Sequence, residues 1–108
     1  MRLTARLFLV CVSLFGLPAF AAPVTDLYQV RETVSSQQPE ERDAALGRAL
    51  DILIQRLTGK ADAPQNPALA QLRKEPQQVV SKYGYEGDAL LVEFDSTSTQ
   101  RELRQAGF

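Results

Sequence analysis

Between Pro39 and Thr58 the apolar residues Leu46, Ala49, Leu50, Leu53 and Leu57 recur at the spacing of one helical face, and Ala45 and Ile54 widen the stripe. A helix with one oily face gains most of its stability by packing that face on something else. The rest of the chain must therefore supply the other half of a core. The ends of this segment are equally legible. Pro39 suits a first helical turn, where its missing N–H leaves no hydrogen bond unmade. Glu40, Glu41 and Asp43 complement the positive end of the helix dipole, and Arg56 and Lys60 the negative end. Gly59 can take the left-handed conformation that stops a helix.

The counterpart of this helix reads as a small sheet. Residues 24–34 form a first strand with Val24, Tyr28, Val30 and Val34 on one alternating face. Asp26 and Glu32 interrupt that face, so only partial burial is expected. Ser35-Ser36-Gln37-Gln38 then makes a polar turn into the helix. Residues 61–67 read as a loop marked by Pro64, Asn66 and Pro67. Asn66 can cap a short second helix over 67–74 that carries Leu69 and Leu72 and closes at Pro76. Two further strands follow, 77–85 with Val79, Tyr83 and Tyr85 on one face and 89–95 with Leu90, Val92 and Phe94, joined as a hairpin through Glu86-Gly87-Asp88. Asp95 starts a turn, and Ser96-Thr97-Ser98-Thr99 leads into a last helix capped by Thr99 with Glu102, at capping-box spacing, or by Ser98. Gly107 and Phe108 fit its end. The expected fold is α+β, a small mixed sheet packed on one long amphipathic helix in the order β-α-α-β-β-α, with a crossover from the first strand.

The first 21 residues stand apart. Arg2 and Arg6 precede the apolar run 7–17, Pro18 breaks it, and Ala19-Phe20-Ala21 offers small residues to a peptidase, with cleavage expected between Ala21 and Ala22. A bilayer span takes roughly 20 apolar residues; this run is eleven residues long and includes Ser13 and Gly16. A cleaved signal peptide is expected, and a permanent anchor is the alternative. Cys11 sits in mid-run behind Val10, unlike the cysteine of a lipoprotein signal, and reads as one more apolar residue. Localisation in the periplasm or cell envelope follows.

Cleavage leaves one small domain, 22–108, and takes the only cysteine with it. The chain has 12 basic and 13 acidic residues; without Arg2 and Arg6 it has 10 against 13, a net charge of −3. Arg48, Arg56, Arg73, Lys74, Arg101 and Arg104 are dispersed among acids, so no nucleic-acid partner is expected, nor a stable membrane span after cleavage.

Reactive chemistry is scarce. The chain has no histidine, and the mature part has no thiol, which removes the usual base, the usual nucleophile and most transition-metal ligand sets. Glu40, Glu41 and Asp43 could be imagined on a hard cation, but they lack the turn and glycine of a calcium loop and read as dipole complements. Glu93 and Asp95 share a strand face and could pair as acid and base; the plainer reading puts Glu93 in solvent and Asp95 at a turn. Tyr83, Tyr85 and Phe94 read as packing before they read as a binding platform. Gly59, Gly84, Gly87 and Gly107 lack phosphate-loop spacing. No catalytic residue, metal or cofactor is assigned.

The opening Val24-Thr25-Asp26-Leu27-Tyr28, the helix Arg42-Asp43-Ala44-Ala45-Leu46 leading to Leu53-Ile54-Gln55-Arg56-Leu57-Thr58-Gly59, and Leu91-Val92-Glu93-Phe94-Asp95 resemble an uncharacterised exported proteobacterial family, domain of unknown function 2066. That resemblance implies no catalytic residue. It does imply a protein continuing beyond Phe108, of which this chain is the N-terminal portion. The function expected is a noncatalytic interaction or scaffold module in the envelope, its partner another protein or the missing C-terminal region. The alternatives are a fragment of a carboxylate-dependent hydrolase and a small-ligand-binding domain.

Overall fold

A computed structural model describes residues 27–108. The signal peptide, its cleavage residues Ala19, Ala21 and Ala22, and the start of the first expected strand lie outside the described residues.

The elements follow the expected order: β1 (Gln29–Thr33), α1 (Pro39–Thr58), α2 (Ala70–Lys74), β2 (Val80–Glu86), β3 (Ala89–Phe94) and α3 (Ser96–Gln105). The α1 helix has the expected bounds and face. Ala45, Leu46, Ala49, Leu50, Leu53 and Ile54 are buried, Leu57 is half-buried, and Gly59 closes the helix at φ 72° with its N–H bonded to the Gln55 carbonyl. The buried stripe packs across β1 and β3, where Val30, Leu90, Val92 and Phe94 meet it. Leu69 and Leu72 complete the core from the short second helix. Asn66 caps that segment by accepting from the Ala68 N–H at 2.9 Å.

The sheet departs from expectation in one respect. It is antiparallel throughout rather than mixed, with strand order β1-β3-β2. The crossover through α1 does connect two strands that run the same way, since β1 and β2 are each antiparallel to β3. The hairpin strand β3 then turns back into the gap between them. It is the right strand for the centre: its residues alternate between buried and half-buried along almost its whole length, whereas β2 is exposed along most of its length.

Local chemistry moved several boundaries, among them the start of α2, where Pro67–Leu69 form a 3₁₀ turn ahead of Ala70. Leu27 and Tyr28 form a 3₁₀ turn, so the first strand begins at Gln29. Pro76 opens a further 3₁₀ turn through Val79, because its ring fixes φ at a helical value, and β2 starts only at Val80. The last helix starts at Ser96, capped by neither Thr99 nor Ser98 but by Asp95, whose Oδ2 accepts from the Ser98 N–H at 2.8 Å. At the far end the Gly107 N–H bonds Arg104 O and the Phe108 N–H bonds Leu103 O, with Gly107 at φ 95°, the double closure that a glycine just past a helix permits.

Candidate functional site

The polar residues singled out in the sequence have structural occupations. Asp95 Oδ2 accepts from both the Ser98 N–H and the Ser98 hydroxyl, at 2.8 and 2.6 Å, and these bonds hold its carboxyl below the usual range. An acid catalyst needs the opposite shift. Glu93 points to the other face of β3, with Lys82 Nζ at 3.8 Å. At the start of α1, Glu41 accepts from the Ser35 N–H and lies 3.7 Å from Arg48, while Asp43 accepts from Arg42. Among the described residues no three ligating side chains cluster for a metal, and no helix is long and apolar enough to cross a membrane. The three aromatic residues are not one platform either. Phe94 is core, Tyr85 is half-buried and Tyr83 is 44% exposed.

An open groove of about 530 Å³ runs between the ends of α1 and α3, lined by Tyr28, Leu57, Lys60, Gln100, Arg104 and Phe108 among others. It is not the enclosed apolar cavity that a small-ligand site calls for. Two of its polar lining residues are already paired, Gln100 Nε2 donating to Tyr28 Oη at 2.8 Å.

The asymmetry of the molecule lies at the two edges of its sheet. In an antiparallel ladder the N–H and C=O of one residue point to the same side, and successive residues alternate. The Val34 N–H bonds the Asp88 carbonyl in the direction of β3, so the even-numbered residues of β1 face the sheet and the odd-numbered ones face outward. Two of those outward carbonyls, on Gln29 and Thr33, and that of Leu27 in the turn before the strand, are taken up by α1. Arg56 Nη1 donates to Leu27 O and Gln29 O at 2.7 and 2.8 Å, and Arg48 Nη2 donates to Thr33 O at 3.2 Å. Arg48 also donates to Glu32 at 2.7 Å, the acid that interrupts the buried face of the strand, and this bond chiefly raises the pKa of the guanidinium. One sequence signal could have exposed this device: an acid on an apolar face requires a cation to meet it.

Among the described residues no such cover lies on β2. Ser81 forms a bulge, its hydroxyl donating to Glu93 O at 3.0 Å. From there Lys82, Gly84 and Glu86 lie opposite Glu93, Leu91 and Ala89, whose backbone groups face β2. Tyr83 and Tyr85 therefore turn their N–H and C=O groups outward, and no other strand of the described residues pairs with them. Their side chains lie on the face of Val92 and Leu90; Tyr85 packs against the core there with its hydroxyl buried, while Tyr83 is 44% exposed with the Arg42 guanidinium 5.9 Å from its ring.

A protein-family model described as Domain of unknown function (DUF8605) matches residues 21–108. This corrects the resemblance to domain of unknown function 2066. The motifs that carried it were a strand, a leucine-rich helix ended by Thr-Gly and a strand leading into a helix, which are features of architecture common to unrelated α+β domains. The continuation beyond Phe108 that was inferred from it loses that support. No curated protein and no solved structure matches the chain.

Proposed function

Because the chain belongs to the DUF8605 family, whose description names no activity, we propose a function from its geometry: a noncatalytic interaction module of the cell envelope that takes up an extended partner strand at the edge of β2. The observation that carries this reading is the contrast between the two edges. An exposed strand edge is a template for another chain, and proteins that must not use it cover it. Here arginines of α1 occupy the Gln29 and Thr33 carbonyls of β1, while β2 presents the backbone of Tyr83 and Tyr85 beside an exposed aromatic ring. Strand addition takes its affinity from such backbone groups and its specificity from alternate side chains. Export is supported by the charged start, the apolar run and the small residues around Ala21. A hydrolytic reading has little to draw on, since the better-placed carboxylate, Asp95, is engaged as a helix cap.

The test is amine crosslinking with mass spectrometry on cells expressing the full chain. The recovered product should begin at Ala22, and Lys82, the lysine of β2, should crosslink to another polypeptide. Tyr83→Pro should abolish that crosslink while the circular dichroism spectrum is kept, because the Tyr83 N–H faces away from β3 and its loss leaves the sheet intact. Crosslinking at Lys82 that is indifferent to Tyr83→Pro would overturn the edge reading, and a product retaining Met1 in the membrane fraction would overturn cleavage in favour of the permanent anchor.

A further inference from the structure

The β2 edge reads Lys82-Tyr83-Gly84-Tyr85-Glu86, a sequence that is its own complement when turned end for end about Gly84. We propose that the partner strand is β2 of a second copy of this chain, paired antiparallel about a two-fold axis at Gly84, so that two three-stranded sheets become one. This rests on the reading of β2 as the interaction edge and names its occupant.

Three observations converge on a second copy. The first is the hydrogen-bond register. Tyr83 and Tyr85 are the residues whose backbone groups face outward, and a two-fold at Gly84 sets Tyr83 opposite the partner's Tyr85 and Tyr85 opposite the partner's Tyr83. These are then the pairs that exchange N–H···O=C bonds in both directions. Their rings fall side by side on the inner face, where cross-strand aromatic pairs are favourable.

The second observation is charge. The same register sets Lys82 opposite the partner's Glu86 on the outer face, twice by symmetry. Lys82 holds Glu93 only loosely, at 3.8 Å with 75% of its side chain exposed, and is available to a second carboxylate. Glu86 is bonded to Arg31 at 2.6 Å. Joining the sheets thus extends charges that already alternate: Glu93, Lys82, then the partner's Glu86. A parallel pairing in register would oppose lysine to lysine and glutamate to glutamate.

The third observation is Gly84 itself. A glycine in the interior of a strand weakens it and often marks the close approach of another backbone. Within one copy nothing calls for it. Its φ is not positive, unlike that of Gly59, Gly87 and Gly107, and a Cβ placed there would meet nothing within 4 Å. At the two-fold it faces the partner's Gly84 in a narrow, non-hydrogen-bonded position, leaving room for the Lys82 and Glu86 side chains to reach across.

A two-fold interface closes on itself, and at the opposite edge Arg56 and Arg48 occupy the Gln29 and Thr33 carbonyls that a further strand would need, which favours a dimer over a longer sheet. The contact is smaller than a standard protein interface, so the dimer should form on concentration and dissociate on dilution.

Sedimentation of the purified protein tests this with charge variants. Lys82→Glu and Glu86→Lys each turn both cross-copy pairs into like-charge pairs, and each alone should associate about tenfold or more weakly than the wild type. Mixed in equal amounts, the two variants are complementary again, and a heterodimer should form at wild-type strength or better. Because the mixture contains the same folded chains as the separate samples, any loss of fold in one variant cannot imitate that recovery. A wild type that stays monomeric at every concentration, single variants that dimerise undiminished, or a mixture that gives no heterodimer would each overturn the proposal. Amide exchange at Tyr83 and Tyr85 separates it from the broader reading. Fast exchange when dilute that slows on concentration supports self-pairing. Fast exchange at all concentrations refutes self-pairing and leaves the edge free for a strand from another protein, whereas slow exchange in the monomer refutes both.

Discussion

Asp95 shows how one residue can attract a catalytic reading and hold a structural job. Two residues after Glu93 on a strand, it would share a face with that acid and could form a carboxylate pair. The strand ends at Phe94, however, and Asp95 turns to receive the first amides of α3, with Ser98 giving it two hydrogen bonds at 2.8 and 2.6 Å. Those bonds favour the charged form, so its folded pKa lies below the unfolded one. The linkage has a definite sign. The contribution of Asp95 is complete above the ordinary carboxylate range and is lost as pH falls through the depressed folded value. Asp95→Asn keeps an amide oxygen for the cap but cannot titrate. It should melt near the wild-type temperature at neutral pH and lose less than the wild type on the acid limb, in thermal scans down to about pH 2. Asp95→Ala should melt lower than both at neutral pH. Parallel acid limbs for wild type and Asp95→Asn would show that the cap does not depend on charge.

At the scale of elements, α1 organises the molecule because its stripe is the largest single contribution to the core. Leu50 and Leu53 are fully buried, and truncating either to alanine should cost about 2–5 kcal/mol in urea denaturation, with the slope unchanged. Leu57 lies half-buried at the end of the stripe, and Leu57→Ala should cost clearly less. Equal losses at positions 50 and 57 would mean that the helix is rotated from the position described. This face, both ends of α1, the hairpin turn at Gly87 (φ 62°) and the closure at Gly107 were all legible from periodicity and local chemistry. The strand order was not. Whether β3 pairs with β1, and so whether the sheet is mixed or antiparallel, depends on contacts between residues about sixty apart, such as Val30 with Val92, and no local pattern encodes them. For the same reason the exposure of Tyr83 was not legible. Its alternation puts it on the inner face, where it does lie opposite Val92, but α1 covers the β1 and β3 side of that face and stops short of the β2 margin. The candidate site followed from this topology. Lys82, Gly84 and Glu86 are visible as letters in the sequence, yet they define an edge only once β3 is known to be central and β2 outermost.

For the whole molecule the decisive property is that its two edges differ, because a three-stranded sheet with both edges open could grow from either side. Net charge offers little protection against that, being −1 for the full chain. The guard is local: Arg56 on the carbonyls of Leu27 and Gln29, and Arg48 on that of Thr33. The two arginines are not equivalent. Arg48 also neutralises Glu32 on the inner face, and removing it would leave an acid of 16% side-chain exposure without its guanidinium, which endangers the fold itself. Arg56 is exposed, so its replacement puts the fold at less risk. Arg56→Ala should leave the helical circular dichroism signal intact and uncover the outward carbonyl of Gln29 at the β1 edge together with that of Leu27 just before it. Each copy would then carry a second pairing edge, and an assembly that closes at two copies could continue. Light scattering of the variant should rise steeply with concentration where the wild type levels off, and Lys82→Glu added to Arg56→Ala should suppress the growth by disabling the other edge. If Arg56→Ala scatters as the wild type does, the β1 edge is protected by something other than these hydrogen bonds, and the asymmetry of the sheet has a different origin.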